Sequence, residues 1–127
     1  MIKLKHIING VVASEIDMHE GDFSIGRSRG NNIQLEDGVV SGIHAVITLQ
    51  PNPYMPEIWD ASIRDMGSTN GTFVNEKKID QQQLHHNDGI RIGLNLFTFI
   101  DENEQDMERT SEIKKSWIPG VYYTKDD

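Results

Sequence analysis

Phe23-Ser24-Ile25-Gly26-Arg27-Ser28-Arg29-Gly30-Asn31-Asn32-Ile33-Gln34-Leu35 runs through a Glu36-Asp37-Gly38 turn into Val39-Val40-Ser41-Gly42-Ile43-His44-Ala45. Short apolar runs alternate here with loops bearing an arginine, a serine and several glycines, which reads as two or three strands presenting polar groups at one rim. A second loop, Asp65-Met66-Gly67-Ser68-Thr69-Asn70-Gly71-Thr72, has the same character and is expected to lie beside the first.

The flanking segments carry the same alternation. Ile2, Leu4 and Ile8 are spaced by even steps, and Asn9-Gly10 before Val11-Val12-Ala13 is a two-residue hairpin signal. Phe23 and Ile25 share one face, and Gly26 then marks a bend or a close backbone approach. Ile33 and Leu35 alternate with Gln34 and Glu36. From His44 to Gln50, Ala45, Ile47 and Leu49 face one way and His44, Val46 and Thr48 the other, as in a central strand. Pro51, Pro53 and Pro56 interrupt the pattern before Trp59, Ala61 and Ile63 resume it.

Phe73-Val74-Asn75 and Ile79 flank another turn. Gly89-Ile90-Arg91-Ile92 and Phe97-Thr98-Phe99-Ile100 alternate out of phase, with Gly93-Leu94-Asn95 resetting the parity in a closing hairpin. Many short strands without a helical period up to residue 100 indicate an all-β sandwich. The expected division is a domain over residues 1–100 and a C-terminal tail or linker over 101–127, acidic from Asp101 to Asp106 and then apolar around Trp117, Val121, Tyr122 and Tyr123.

A chain of 127 residues supports one domain and buries roughly two-thirds of its extended surface. Without cysteine it has no disulfide framework, thiolate metal site or cysteine nucleophile. A formal net charge of −8 repels nucleic acid and anionic membranes, so an anionic ligand has to be captured locally. The uncharged run from Ile92 to Ile100 is far short of a membrane span, and Met1-Ile2-Lys3-Leu4-Lys5 lacks the apolar core of a signal peptide. A cytoplasmic protein without membrane insertion is expected.

The two loops hold the groups that grip a phosphate. A phosphorylated threonine carries about −1.5 to −2 charges and three acceptor oxygens. Arg27 supplies a cation, Ser41 and Thr69 hydroxyls, Gly42 an open backbone, and Asn70 a donor and an acceptor that would hold the ligand's main chain. Charge-assisted hydrogen bonds of about 1.5–3 kcal/mol each sum, after losses, to binding near 8 kcal/mol, about micromolar. Almost nothing would remain without the phosphate.

These residues carry a resemblance. Ile25-Gly26-Arg27, then Ser41-Gly42-Ile43-His44-Ala45, then Gly67-Ser68-Thr69-Asn70-Gly71-Thr72-Phe73-Val74-Asn75 resemble the successive signatures of the forkhead-associated (FHA) domain, in a specific order that spans roughly residues 1–100. The resemblance implies a sandwich of two packed, mainly antiparallel sheets with about eleven strands and with ligand loops at one end. It implies that Arg27 and Ser41 contact phosphate, Thr69 shapes the threonine pocket, Asn70 bonds the peptide backbone, and Gly26 and His44 support the loops, as Gly71 does beside Asn70. Two positions depart from the pattern. Gly42 stands where many members have arginine, which leaves only a backbone N–H there, and Glu76 stands where a glycine often follows the asparagine, in a distal turn. Val39, in the loop that reads the third residue after the phosphothreonine, leans toward an aliphatic partner.

The function implied is a phosphothreonine-dependent interaction module, not an enzyme, that recognises phosphorylated peptides in a Ser/Thr kinase pathway without cofactor, metal or nucleic acid. The alternative is a scaffold of the same fold, as in bacterial secretion systems, that docks partners without phosphate. An enzymatic reading fails on chemistry. Ser41 and His44 are an odd offset apart, which in extended chain sends their side chains to opposite faces, and adjacent His85-His86 are unsuited to one metal. Alone, Asn70-Gly71 reads as a plain hairpin turn; the order of the other motifs reverses that. Thr110-Ser111-Glu112-Ile113 in the tail fits, if phosphorylated, a site of this kind, which would give self-association through phosphorylated Thr110; the plainer reading is an unmodified linker threonine.

Overall fold

The computed structural model describes residues 2–103, so Thr110 and the apolar part of the tail lie outside the described residues. Eleven strands follow one another: β1 (Ile2–Ile8), β2 (Val11–Asp17), β3 (Gly21–Gly26), β4 (Ile33–Gln34), β5 (Ala45–Pro51), β6 (Trp59–Asp65), β7 (Thr72–Val74), β8 (Lys77–Ile79), β9 (Gln81–Gln83), β10 (Gly89–Ile92) and β11 (Asn95–Asp101). They form a six-stranded sheet ordered β2-β1-β11-β10-β7-β8 and a five-stranded sheet ordered β4-β3-β5-β6-β9. Pairing is antiparallel except that β4 runs parallel to β3. This is the all-β sandwich that the alternation implies.

Side-chain parity builds the core. Leu4, Ile90, Ile92, Phe97 and Phe99 point inward from one sheet and Ile25, Ala45, Ile47, Leu49 and Ile63 from the other, all buried. The phase change between β10 and β11 is absorbed at Gly93-Leu94, so that Ile90 and Phe97, one at an even and one at an odd position, stand opposite each other on the same face. β5 is the third of five strands, which is why both of its faces are half apolar. Met18, Leu35, Val40 and Leu84 reach the core from loops and close its ends.

Two turns use left-handed backbone. Asn9 and Gly10 adopt φ of 53° and 78°, the pair of conformations that a two-residue hairpin needs. Asn75 and Glu76 adopt 52° and 67° between β7 and β8, and the Glu76 carboxylate lies 3.1 Å from the Arg91 guanidinium. Ile8, expected to face inward with Ile2 and Leu4, is exposed. The register slips between His6 and Ile7, and the tip of the β1–β2 hairpin lies beyond the packed part of the sandwich.

The loops after β3, before β5 and after β6 emerge at one end of the sandwich. A hollow of about 320 Å³ lined by Ile2, Met18, Leu49 and Trp59 lies at the other end, where β5 finishes.

Candidate functional site

Gly26 closes β3 where the first loop meets the second. A Cβ built on it would lie 2.1 Å from the Gly42 carbonyl oxygen, so only glycine lets the two backbones run this close. The approach is held by hydrogen bonds from Arg27 N to Ser41 O (3.0 Å) and from Ser28 N to Gly42 O (3.2 Å). Asn31 reinforces them, its Nδ2 donating to Ser28 O at 2.7 Å and to Gly42 O at 2.8 Å. Arg27 is therefore placed against Ser41 by main-chain bonding. Its guanidinium is exposed and engages no side chain among the described residues.

Ser41 ties this pair of loops to the one after β6. Its Oγ accepts the N–H of Thr69 at 3.1 Å, and Asn70 Nδ2 donates to Val39 O at 2.8 Å. Arg27, Ser41, Gly42, Thr69 and Asn70 thus stand together at one rim. Ser41 and Gly42 are half-buried, while Thr69 and Asn70 are exposed. The N–H of Gly42 donates to no group among the described residues and remains available beside the Ser41 hydroxyl.

His44 holds the rim from beneath. It is fully buried, its Nδ1 accepts from Ser41 N at 3.1 Å and its Nε2 faces Gly71 O at 2.8 Å, so the hydrogen-bond network assigns the proton to Nε2. Its main chain bonds Ile25 O through N–H and Met66 N–H through its carbonyl, at 2.8 and 2.9 Å. One residue therefore ties β3 and the loop before β5 to the loop after β6. His44 precedes β5 rather than opening it, and the chain from Ser41 to His44 is not extended, so the ring turns back onto the Ser41 backbone. The Ser41 hydroxyl is left to Thr69, and no nucleophile–base pair forms.

Two carboxylates that the sequence reading gave no role organise the loops. Asp65 Oδ2 accepts from Gly67 N and Ser68 N, both at 3.0 Å, and Oδ1 accepts from Ser68 Oγ at 2.5 Å and Thr72 Oγ1 at 2.7 Å. Ser68 Oγ in turn accepts from Gly71 N at 3.0 Å. Burial pushes the Asp65 carboxyl up, and its bonds from the Ser68 and Thr72 hydroxyls and from the Ser68 and Gly67 N–H groups outweigh that, holding it below its ordinary value of 3.8. An Asp bonding the N–H groups two and three residues on is an Asx-turn, and Asp65-Met66-Gly67-Ser68 carried that signal.

Asp37 joins the loop before β5 to the opposite sheet. Its Oδ1 accepts Val39 N at 3.1 Å, and its Oδ2 accepts Leu94 N at 2.9 Å and Asn95 Nδ2 at 3.0 Å. The N–H groups of Leu94 and then Val39 hold its carboxyl below the ordinary value, with Asn95 adding to them against partial desolvation. A Cβ on Gly93, whose φ is 61°, would lie 2.7 Å from Asp37 Oδ2, which is why the β10–β11 turn has glycine here.

The arrangement sets an exposed cation beside hydroxyl and backbone donors. Among the described residues no cluster of His, Asp or Glu could hold a metal ion, and no helix is long and apolar enough to cross a membrane.

The sequence profile of the FHA domain matches residues 23–93, more than half of the chain. The chain belongs to the FHA domain family. It is 38% identical over 85 residues to the ABC transporter ATP-binding/permease protein Rv1747 of Mycobacterium tuberculosis, covering 67% of this chain and 9% of that protein. It is 33% identical over 82 residues to the glycogen accumulation regulator GarA of the same organism, covering 65% of this chain and 46% of GarA. The chain thus spans less than half the length of either relative. A solved structure from a study of phosphothreonine-dependent FHA domain interactions superposes with a TM-score of 0.67 at 28% identity, covering 79% of this chain and 95% of that one. The FHA fold is a protein-interaction module rather than a catalytic one.

Proposed function

We propose that this FHA domain is a phosphothreonine-dependent interaction module that reads phosphorylated peptides in Ser/Thr kinase signalling in the cytoplasm, without enzymatic activity of its own. The observation that carries the reading is the joining of Arg27, Ser41, Thr69 and Asn70 by direct hydrogen bonds between loops at one end of the sandwich, with the Arg27 guanidinium and the Gly42 N–H engaged by no group among the described residues. The recognition unit is residues 1–100, and 101–127 are a tail or linker.

Each group has a role set by its surroundings. Arg27 and the Ser41 hydroxyl contact the phosphate, joined by the Gly42 N–H. Thr69 shapes the pocket for the threonine methyl. Asn70 Nδ2 already donates to Val39 O, so its Oδ1 is the atom left to accept an N–H of the peptide main chain. Gly26, His44 and Gly71 hold the loops in place. No cofactor or nucleic acid enters this scheme.

The test is titration with matched peptides bearing threonine, phosphothreonine, phosphoserine or glutamate. Phosphothreonine binds best, and phosphoserine is weaker by about 1 kcal/mol because the methyl is missing. Comparable binding of all four overturns the proposal. The scaffold alternative is separated by Arg27→Ala, which a phosphate-independent partner would tolerate. Self-association through phosphorylated Thr110 is tested by kinase treatment, mass measurement and sizing; a phosphorylated chain that stays monomeric and still binds peptide freely refutes it.

A further inference from the structure

The solvent face of the six-stranded sheet carries an apolar row that neither the core nor the phosphate notch uses. Cross-strand partners project to the same face. The pairings Ile7–Val12, Ile7–Leu96, Leu96–Arg91 and Arg91–Phe73 therefore lay Val12, Ile7 and Leu96 side by side, closed at the far end by the Arg91 guanidinium 4.1 Å above the Phe73 ring. The neighbours of Leu96 settle which face this is, since Phe97 lies in the core and Leu96 must point out. Away from the loops the row of Glu15, Lys5 and Thr98 is polar, as a solvated sheet face is. The apolar strip is thus confined to the end of the sheet that carries the recognition loops.

It also reaches the notch. Leu94, 85% exposed, stands at the tip of the β10–β11 turn beside this strip. A Cβ on Gly93 would lie 3.1 Å from Val39 Cγ2, so Val39, 43% exposed, abuts that turn, and the Val39 carbonyl accepts the Asn70 carboxamide. Val39 belongs both to the rim of the phosphate site and to the edge of the apolar strip.

From this continuity we infer that the surface running from Val39 over Leu94 and Leu96 to Val12 is a second reading site for the same phosphoprotein chain, taking aliphatic residues that lie outside the immediate neighbours of its phosphothreonine. The inference rests on the phosphopeptide reading above. Strands about 4.8 Å apart make the crossing from β11 to β2 about 10 Å, three residues of extended chain. A ligand already held by its phosphate meets this strip at about millimolar effective concentration, so contacts too weak to recruit a partner alone still add to binding. A second copy of this chain is the poorer occupant, because a net charge of −8 on each molecule opposes their approach.

The experiment selects two degenerate phosphothreonine peptide libraries, one extending three residues to each side and one extending nine, about 30 Å of extended chain. The proteins are the wild type, Leu96→Glu, Val12→Lys and Arg27→Ala. The wild type should enrich leucine, isoleucine and valine beyond the third residue on one flank, and the selected long peptide should bind about tenfold more tightly than its truncated form. Leu96→Glu and Val12→Lys, on separate strands, should each abolish that gain and keep the wild-type affinity for the short peptide, which also reports that they fold. No enrichment beyond the third residue, or equal affinity of long and short peptides, overturns the inference while the phosphate reading stands. Absence of phosphothreonine selection by the wild type, or its indifference to Arg27→Ala, overturns both. A wild-type dimer that Leu96→Glu dissolves overturns the inference by assigning the strip to a second copy.

Discussion

Gly26→Ala adds one methyl at the point where the loops touch. The new Cβ would lie 2.1 Å from Gly42 O, 2.8 Å from Gly42 C and 3.0 Å from Asn31 Nδ2. Ordinary carbon–oxygen contact begins near 3.3 Å, so the Ser41-Gly42 backbone has to withdraw by about 1 Å. That motion breaks the bonds from Arg27 N to Ser41 O and from Ser28 N and Asn31 Nδ2 to Gly42 O. Each is worth about 0.5–1.5 kcal/mol, and the forced fit adds about 1–3 kcal/mol, giving a loss of about 2.5–7.5 kcal/mol against a total stability of about 5–15 kcal/mol. Urea unfolding should show the midpoint falling by at least 1 M or so, with a slope of about 1–3 kcal/mol/M. The folded fraction should bind a phosphothreonine peptide about tenfold or more weakly, because Arg27 and Ser41 are driven apart. Gly42→Ala is the control: its Cβ meets the Ser28 side chain, Oγ at 2.8 Å and Cβ at an ordinary 3.9 Å, and that hydroxyl can rotate away, so the cost should stay under about 1 kcal/mol. If Gly26→Ala unfolds and binds like the wild type, the close approach does not build the site.

Arg27→Ala should leave the unfolding midpoint unchanged, since its exposed guanidinium holds no side chain among the described residues, and should weaken phosphothreonine binding by about 1.5–3 kcal/mol, tenfold or more by calorimetry. Asp65 and Asp37 both have folded carboxyl values below 3.8, so their stabilisation is fully present above about pH 4 and is lost as pH falls through the lowered values; below about pH 4 the wild-type thermal midpoint should fall more steeply than that of Asp65→Asn. Asp65→Asn leaves one acceptor oxygen where there were two, so an amide N–H faces either the Gly67 and Ser68 N–H groups or the Ser68 and Thr72 hydroxyls, and it should cost about 1–3 kcal/mol at pH 7 and flatten the acid slope. Glu76→Gly relieves a φ of 67°, worth about 1–2 kcal/mol, and loses an exposed pair with Arg91 worth about 0–1 kcal/mol; the midpoint should rise by a few degrees with phosphopeptide affinity unchanged. A fall in that midpoint would mean the Arg91 pair outweighs the backbone.

The parts of the fold that were legible are those in which burial imposes a period. Ala45-Ile47-Leu49, Ala61-Ile63 and Phe97-Phe99 face the core on one strand side each, and alternation cannot be kept by chance across so many short segments. β9 was not legible. Gln81–Gln83 pairs with β6 at a sheet edge with all three side chains exposed, so nothing apolar marks it. The site was legible at Arg27, Ser41 and Asn70 because each carries a distinctive functional group in a fixed chain order, and the structure brings all of them to one rim. Gly26 was legible as a bend or a close backbone approach that supports the loops, without its partner; the partner is the Gly42 carbonyl, across a turn whose shape no periodicity encodes.

Asp37 shows why the rest was silent. Asp37-Gly38 has the composition of an ordinary turn, and its side chain does hold the turn through Val39 N. Its other oxygen bonds Leu94 N and Asn95 Nδ2, residues 57 and 58 positions away on the opposite sheet. A carboxylate bonding a distant main-chain N–H leaves no sequence signal, because every residue but proline offers the same donor. The consequence for recognition is physical. The loop bearing Val39 and Ser41 is fastened to the five-stranded sheet through Gly26 and His44 and to the six-stranded sheet through Asp37, so the rim proposed to bind phosphate is fixed relative to both sheets. A site fixed in this way would lose little conformational entropy on binding, which would let a few charge-assisted bonds give useful affinity.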